Sequence, residues 1–268
     1  MKHIAIYCVN YNSYEYLDRY LASIDTSAKM AKEQLHVTVI VADNSTPAQH
    51  VSYIPQSFTL KLMATGKNLG YFGAVRKAMQ EVSPQHFCYS VISNVDMTLD
   101  IGFFRQLLAS PSCQNVGWIA PAIISEHDGC DMNPQATTRY TLSKLRILKF
   151  LYDHPVLNEL YESTLHQVKR KQSVVAGPVY AGHGSCIILT QEYFHRCGII
   201  NYPVFLYGEE IYLGENCVRN KLTTIYVPSI QVHDIGKATT GKMKRDFYYK
   251  CNAEAIAYII RTFYHSQK

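Results

Sequence analysis

The 268-residue chain has no apolar stretch near the roughly 18 residues that a membrane-spanning helix needs; its apolar runs, such as residues 37–42 and 186–189, are strand-sized. Only a short apolar run separates Lys2 from Asn10, so the sequence is expected to carry no secretory leader. The eight cysteines form no CxxC pair and keep no regular spacing, which argues against a zinc centre or a disulfide framework and suits a reducing cytoplasm. The chain also lacks GxxxxGK[ST] and, after its first strand-like run, GxGxxG, so neither a P-loop enzyme nor a dinucleotide-binding dehydrogenase is supported.

What is present is enough for a large core. At 47% hydrophobic and 18% charged, the composition excludes a disordered class. With about 150 residues per domain as the usual scale, residues 1–268 read as one domain. The net charge of +5 is unevenly spread. Residues 139–171 hold seven basic side chains (Arg139, Lys144, Arg146, Lys149, Lys169, Arg170, Lys171) against three acidic, and residues 237–268 hold seven against two. Those two segments carry all the excess and suit an anionic surface, although nucleic-acid binding is not favoured.

The first 120 residues alternate short apolar runs with helix-like stretches, the pattern of an α/β fold with a largely parallel sheet. Strands are expected at 3–9, 35–42, 58–63 and 86–93, with helices from about Ser13, capped by Asn12 and Glu15, and at 69–82. Residues 125–179 read as an irregular insertion with a basic helical segment. Beyond it, strands are expected at 182–189, 221–227 and 230–232, a helix from Tyr207 to Val218, and a closing helix from about Met243.

Polar clusters mark the strand ends, where open α/β sheets bind ligands. Asp43 follows an apolar strand, so its carboxylate either meets a base or ribose or closes an Asx-turn. In Asn94-Val95-Asp96 the outer residues share one side, where a hard divalent cation could sit against a diphosphate. Gly66 to Gly73 is a glycine-containing turn entering a helix, where backbone N–H groups and Lys67 could meet phosphate. Glu209 and Glu210 open a helix beside the apolar run 204–207, positions suited either to a general base or simply to the helix dipole. His233 follows a short strand, where a lone histidine is commonly structural.

In order along the chain, Val9-Asn10-Tyr11-Asn12, Val41-Ala42-Asp43-Asn44-Ser45, Asn68-Leu69-Gly70-Tyr71, Ser93-Asn94-Val95-Asp96 and Phe205-Leu206-Tyr207-Gly208-Glu209-Glu210 resemble the successive motifs of glycosyltransferase family 2, inverting transferases of the GT-A fold. Val227-Pro228 and His233 also fall in place, and the resemblance spans about residues 3–252. Gly70-Tyr71-Phe72-Gly73-Ala74 and residues 245–252 are similar to the family's rhamnosyltransferase-like branch.

The resemblance implies a GT-A-like Rossmann-type fold: a central, mostly parallel sheet flanked by helices, with an insertion and a C-terminal amphipathic helix. Residues 1–120 would form the nucleotide-sugar half and 121–242 the acceptor half. Asp43 would read the donor base, with Val9, Asn10, Tyr11, Lys67, Asn68, Gly70 and Asn94 around the donor. Asp96 and His233 would hold Mg²⁺ or Mn²⁺. Glu210, or its neighbour Glu209, would be the general base. Asn94 stands where the first acid of a DxD motif is usual, Glu210 where Asp is commoner, and Tyr212 at an often acidic position.

The activity so implied is transfer from a UDP- or dTDP-sugar to a saccharide or lipid-linked saccharide, in bacterial surface polysaccharide or lipopolysaccharide synthesis. Residues 144–151 and the closing helix would touch anionic lipid from the cytoplasmic side, as a peripheral contact on the inner face of the plasma membrane. The 21 tyrosines suit stacking on sugar rings. Two rivals differ in testable ways. A sugar-phosphate nucleotidylyltransferase needs a glycine-rich basic loop where Asn10 to Ser13 stand, and a silent nucleotide- or carbohydrate-binding module would bind donor without turnover.

Overall fold

Runs of β-branched and apolar residues build the centre of the molecule, because their stiff side chains suit a sheet covered on both faces. The computed structural model describes residues 1–31, 35–110, 114–164, 175–236 and 245–264. Its strands are β1 (Lys2–Asn10), β2 (Leu35–Asp43), β3 (Thr59–Ala64), β4 (Tyr89–Asn94), β5 (Met97–Leu99), β6 (Val116–Ser125), β7 (Gly177–Val179), β8 (Cys186–Thr190) and β9 (Thr223–Asp234). The helices are α1 (Tyr14–Ala31), α2 (Tyr71–Glu81), α3 (Phe103–Ala109), α4 (Leu142–Asp153), α5 (Pro155–Thr164), α6 (Gln191–Cys197), α7 (Glu209–Arg219) and α8 (Arg245–Ile259), the last continuing as a π-helical turn over Ile260–Tyr264.

One sheet runs in the order β3-β2-β1-β4-β8-β6-β9-β5, with β7 also paired to β9. Its β3-β2-β1-β4 half is parallel, as the alternating sequence leads one to expect. The other half is mixed. β8 runs antiparallel to β4 and β6, and β5 and β7 run antiparallel to β9, while β6 and β9 are parallel. The period-two alternation of β1 divides the core. Ile4, Ile6 and Cys8 join Leu17, Ile24 and Phe103 on one face, and Ala5 and Tyr7 join Phe72, Trp118 and Leu213 on the other. All of these are fully buried, and each large apolar side chain contributes about 1.5–3 kcal/mol of transfer free energy.

Several boundaries differ from the sequence expectations. The first helix begins at Tyr14, because Asn12 adopts left-handed backbone (φ 53°) and donates its N–H to Ser45 Oγ at 2.8 Å instead of capping. The strands expected at 221–227 and 230–232 are one strand, β9, broken by a bulge opposite Pro121 and Ala122 where Pro228 offers no N–H. The described parts of the expected insertion, residues 125–164 and 175–179, are more regular than expected, since they contain α4, α5 and β7. Helices α3 and α6 and strand β6 were not separately expected. Lys169 to Lys171 and Met243 lie outside the described residues.

A buried carboxylate ties this excursion and the chain's end to the sheet. Glu215 on α7, 2% exposed, accepts from Arg139 Nε at 2.8 Å and Nη2 at 2.7 Å, from Tyr180 Oη at 2.9 Å and from Tyr264 Oη at 2.8 Å. The Arg139 guanidinium also lies 4.9 Å from the Tyr264 ring centre. Burial beside the Glu215 carboxylate holds the Tyr180 phenol firmly neutral.

Candidate active site

A cleft of about 1290 Å³ opens where the carboxyl ends of β1 and β4 meet the loops before α7 and after β9. Val9 and Tyr11 line it from the end of β1. Asn10 and Asp43 are not among its lining residues, because each is used beneath it. Asn10 Nδ2 donates to Asp43 Oδ1 at 3.1 Å, and Asn10 Oδ1 accepts from the Ser13 N–H at 3.2 Å. Asp43 also accepts from Tyr14 Oη at 2.6 Å and the Ser45 N–H at 3.0 Å. These bonds pin the ends of two neighbouring strands, and the bond from the Ser45 N–H closes an Asx-turn at Asp43.

Asn44 instead reaches the cleft wall, a role the sequence did not single out. Its Nδ2 donates to the Gly70 carbonyl at 2.9 Å and its Oδ1 accepts from the Leu69 N–H at 3.2 Å, which shapes the turn containing Asn68 and Gly70. Both of those residues line the cleft, whereas Lys67 is exposed and lies outside the lining. Gly70 has φ 73°, and a Cβ there would stand 2.0 Å from the Phe205 carbonyl oxygen. Only glycine permits that approach. It lets the Tyr71 N–H donate to the same Phe205 oxygen at 3.2 Å, while Tyr71 Oη donates to the Gly184 carbonyl at 2.9 Å.

Asn94 and Asp96 line the cleft from the end of β4 and the turn after it, as the spacing implied. The late strand brings Asp234 there rather than His233. Met97 of β5 pairs with Asp234 in β9, and the Ile235 N–H donates to the Asp96 carbonyl at 3.0 Å, so the two aspartates share one corner. Adjacent strand residues face opposite sides, and His233, half-buried, is not in the lining. Burial and the Asp96 charge push Asp234 up to about 6, against a partly opposing bond from the Gly236 N–H at 2.7 Å. Crowded carboxylates of this kind suit a hard cation whose remaining sites go to phosphate oxygens. Among the described residues no cluster of three His, Cys, Asp or Glu side chains is arranged to hold a metal.

The opposite wall is the start of α7. Gly208 turns the chain in left-handed backbone (φ 81°), and Glu209 and Glu210 form the first helical turn. Glu210 Oε1 accepts from the Gly184 N–H at 3.2 Å, and a Cβ at Gly184 would come 2.8 Å from that oxygen and push the carboxylate aside. Glu209 is buried, and its Oε1 finds no partner among the described residues. Burial first, and the neighbouring Glu210 charge second, push Glu209 up to about 8.

That shift has a signed effect on stability. The folded protein holds the Glu209 proton more tightly than the unfolded chain does, so its contribution is intact below about pH 4.5 and is lost as pH rises toward 8. Glu209→Gln is therefore expected to gain stability over the parent between pH 5 and pH 8 in urea unfolding. An equal difference at both values would contradict a buried neutral acid.

No family model matches the chain. It is 25% identical over 256 residues, 89% of its length and 78% of the relative's, to an N-acetylglucosaminyl-diphospho-decaprenol L-rhamnosyltransferase of Mycobacterium tuberculosis. It is also 25% identical over 235 residues, 86% of its length and 66% of the relative's, to the low-salt glycan biosynthesis hexosyltransferase Agl10 of Haloferax volcanii. Among solved structures, GalNAc-T7 with UDP, GalNAc and Mn²⁺ superposes with a TM-score of 0.64 at 13% identity, over 98% of this chain and 49% of that one. Staphylococcus aureus TarS gives a TM-score of 0.54 at 12% identity, over 98% of this chain and 40% of that one. The chain thus spans half or less of these solved chains.

Proposed function

We infer that this chain, with a GT-A fold and relatives of the glycosyltransferase family 2 type, is a glycosyltransferase that moves a sugar from a nucleoside-diphosphate donor to a lipid-linked saccharide in surface-glycan synthesis. The observation that carries the reading is the meeting, in one cleft, of the Asn68–Gly70 turn and Asp96 with Glu210 across from them. Such an arrangement can hold a donor on one side and remove an acceptor proton on the other.

The donor would lie along Val9, Tyr11, Asn44, Asn68, Gly70 and Asn94, over the strand ends pinned by Asn10 and Asp43. Glu210, its carboxylate held by the Gly184 N–H, would take the proton of the acceptor hydroxyl as that oxygen attacks the anomeric carbon. Attack from the face opposite the leaving nucleoside diphosphate inverts the configuration. Glu209, neutral and buried beside it, would keep a second negative charge away from the base.

Asp96 and Asp234 are the residues that would hold Mg²⁺ or Mn²⁺. When bound, the ion offsets the charge that develops on the departing diphosphate. Support comes from the shared acidic corner and from the Mn²⁺ and UDP named with GalNAc-T7. UDP- and dTDP-sugars are the donors we assign, and the inner face of the plasma membrane is the location.

The test is thermal stabilisation by UDP, dTDP, GDP, CDP and CMP with and without Mn²⁺, since a ligand at about 100 times its Kd adds roughly 2.7 kcal/mol. UDP or dTDP is expected to stabilise selectively, with a further increment from Mn²⁺. Asp96→Asn and Asp234→Asn should lose that increment, whereas His233→Ala should keep it. If His233→Ala abolishes the increment and Asp234→Asn does not, the acidic pair is the wrong ligand set. Stabilisation by no nucleotide, with or without metal, would remove the donor reading itself.

A further inference from the structure

The α4–α5 hairpin has two faces of different character. Its inner face is fastened to α8: Leu145 and Leu151 are buried, the Tyr152 ring lies 6.1 Å from Tyr248, and Asn158 Nδ2 donates to Tyr249 Oη at 3.3 Å. Its outer face is apolar and open to water. Ile147, Phe150, Val156 and Leu157 are 59%, 52%, 78% and 43% exposed, with the first two one helical turn apart and the last two just past the bend. Large apolar side chains grouped and exposed in this way mark a place of contact.

Beside the patch, two acidic side chains are matched within the fold and two basic ones are not. Asp153 is paired with Lys149 at 2.5 Å and Glu159 with Arg245 at 2.5 Å. Lys144 and Arg146, both exposed on α4, make no ion pair among the described residues. Lys144 lies 4.3 Å from the Tyr140 ring centre, a contact that leaves its charge uncompensated. An apolar face rimmed by unmatched Lys and Arg suits an interface whose other side is apolar within and anionic at its boundary.

The hairpin is also joined to the cleft, through its inner face. Tyr152 on the hairpin touches Tyr248, and Tyr248 touches Tyr207 at 5.2 Å between ring centres. Tyr207 and Tyr248 both line the cleft. A row of aromatic rings therefore runs from the hairpin's inner face to the cleft, so the hairpin is seated against the cleft wall.

We propose that the outer face of the α4–α5 hairpin, with Ile147, Phe150, Val156 and Leu157 rimmed by Lys144 and Arg146, docks the chain on an anionic phospholipid bilayer beside the cleft mouth. This rests on the lipid-linked acceptor assigned above. Docking would bring the bilayer surface, where such an acceptor's saccharide is displayed, to the side of the molecule where α8 carries Tyr248 into the cleft wall. It needs no membrane-crossing helix, and no helix among the described residues is long and apolar enough to be one.

The experiment is co-sedimentation of the full chain with phosphatidylcholine vesicles, with and without phosphatidylglycerol, alongside sedimentation equilibrium without lipid. Binding to the anionic vesicles is expected to exceed binding to neutral ones about tenfold, with Ile147→Ser/Phe150→Ser and Lys144→Glu/Arg146→Glu each losing about tenfold. All these side chains are exposed, and the variants should keep the parent's Tm and its nucleotide stabilisation. Vesicle binding absent in the parent, or unchanged in both double variants, overturns the proposal. So does a lipid-free dimer that Ile147→Ser/Phe150→Ser converts to monomer, since the face would then be a self-interface. Nucleotide stabilisation is read without vesicles, so failure of the donor reading and failure of docking are separate results.

Discussion

Glu210→Gln is expected to lower sugar transfer by about 10²–10⁴-fold while leaving nucleotide stabilisation unchanged, the usual contribution of a positioned general base. The amide keeps the size of the side chain and its carbonyl oxygen still accepts from the Gly184 N–H, so the geometry of the wall survives. What it loses is the ability to take a proton from the acceptor hydroxyl. The control is Glu209→Gln. Glu209 already carries its proton near neutral pH, so the amide mimics its working form and transfer at pH 7 is expected to stay within a few-fold of the parent. Full transfer by Glu210→Gln, or abolition by Glu209→Gln with the fold intact, would move the base to Glu209. Loss of nucleotide stabilisation in Glu210→Gln would show that the change had reached the donor side and tested something else.

The largest expected loss of stability belongs to Glu215→Ala, at about 3 kcal/mol in urea unfolding at pH 7, the lower end of what breaking a buried ion pair costs. The lower end applies because the Arg139 side chain is 38% exposed and can turn toward water once its partner is gone. Tyr180 cannot do so: it is 6% exposed, and its hydroxyl would be left inside without an acceptor, a loss of roughly 1–3 kcal/mol by itself. Glu215→Gln should be milder, since its amide oxygen can still receive a tyrosine hydroxyl. If Glu215→Ala unfolds at the parent's urea midpoint, the network would be ornament and the closing helix must be held by its other contacts, such as Arg245 with Glu159 and Tyr249 with Asn158.

Much of the site was legible because chemistry and position coincide in short segments. Asn68 with Gly70, Asn94 with Asp96, and Glu209 with Glu210 each follow a strand or open a helix, and local spacing alone sends them to one side of the sheet. The late residue at the cleft is a different case. Whether His233 or Asp234 faces the cleft depends on strand parity, and the bulge near Pro228 changes the register of β9 by an amount no local pattern reveals. Asp43 shows a related limit: a carboxylate at a strand end serves a ligand or its own turn, and its bonds with Tyr14 and Asn10, distant in sequence, are set by the fold rather than by any local pattern. His183, Gly184, Phe247 and Tyr248 reach the cleft only through the return of β8 and the packing of α8, which are tertiary events. The antiparallel insertion of β8 between β4 and β6 was hidden likewise, since its apolar residues read the same in either direction.

The contact of Gly70 with the Phe205 carbonyl bears on how this scaffold can be altered. Two loops far apart in the chain meet backbone to backbone, with no side chain between them to absorb a change. Grafting a relative's 205–210 loop to obtain a new specificity would therefore succeed only if the path of its backbone matches the turn at 68–71, and the two segments are best exchanged together. Variation in sugar or acceptor choice is cheapest elsewhere, at side chains such as Tyr11 and Phe247 whose replacement moves no main chain. The seam is in effect a hinge pin, and its maker's tolerance is set by a missing methyl group.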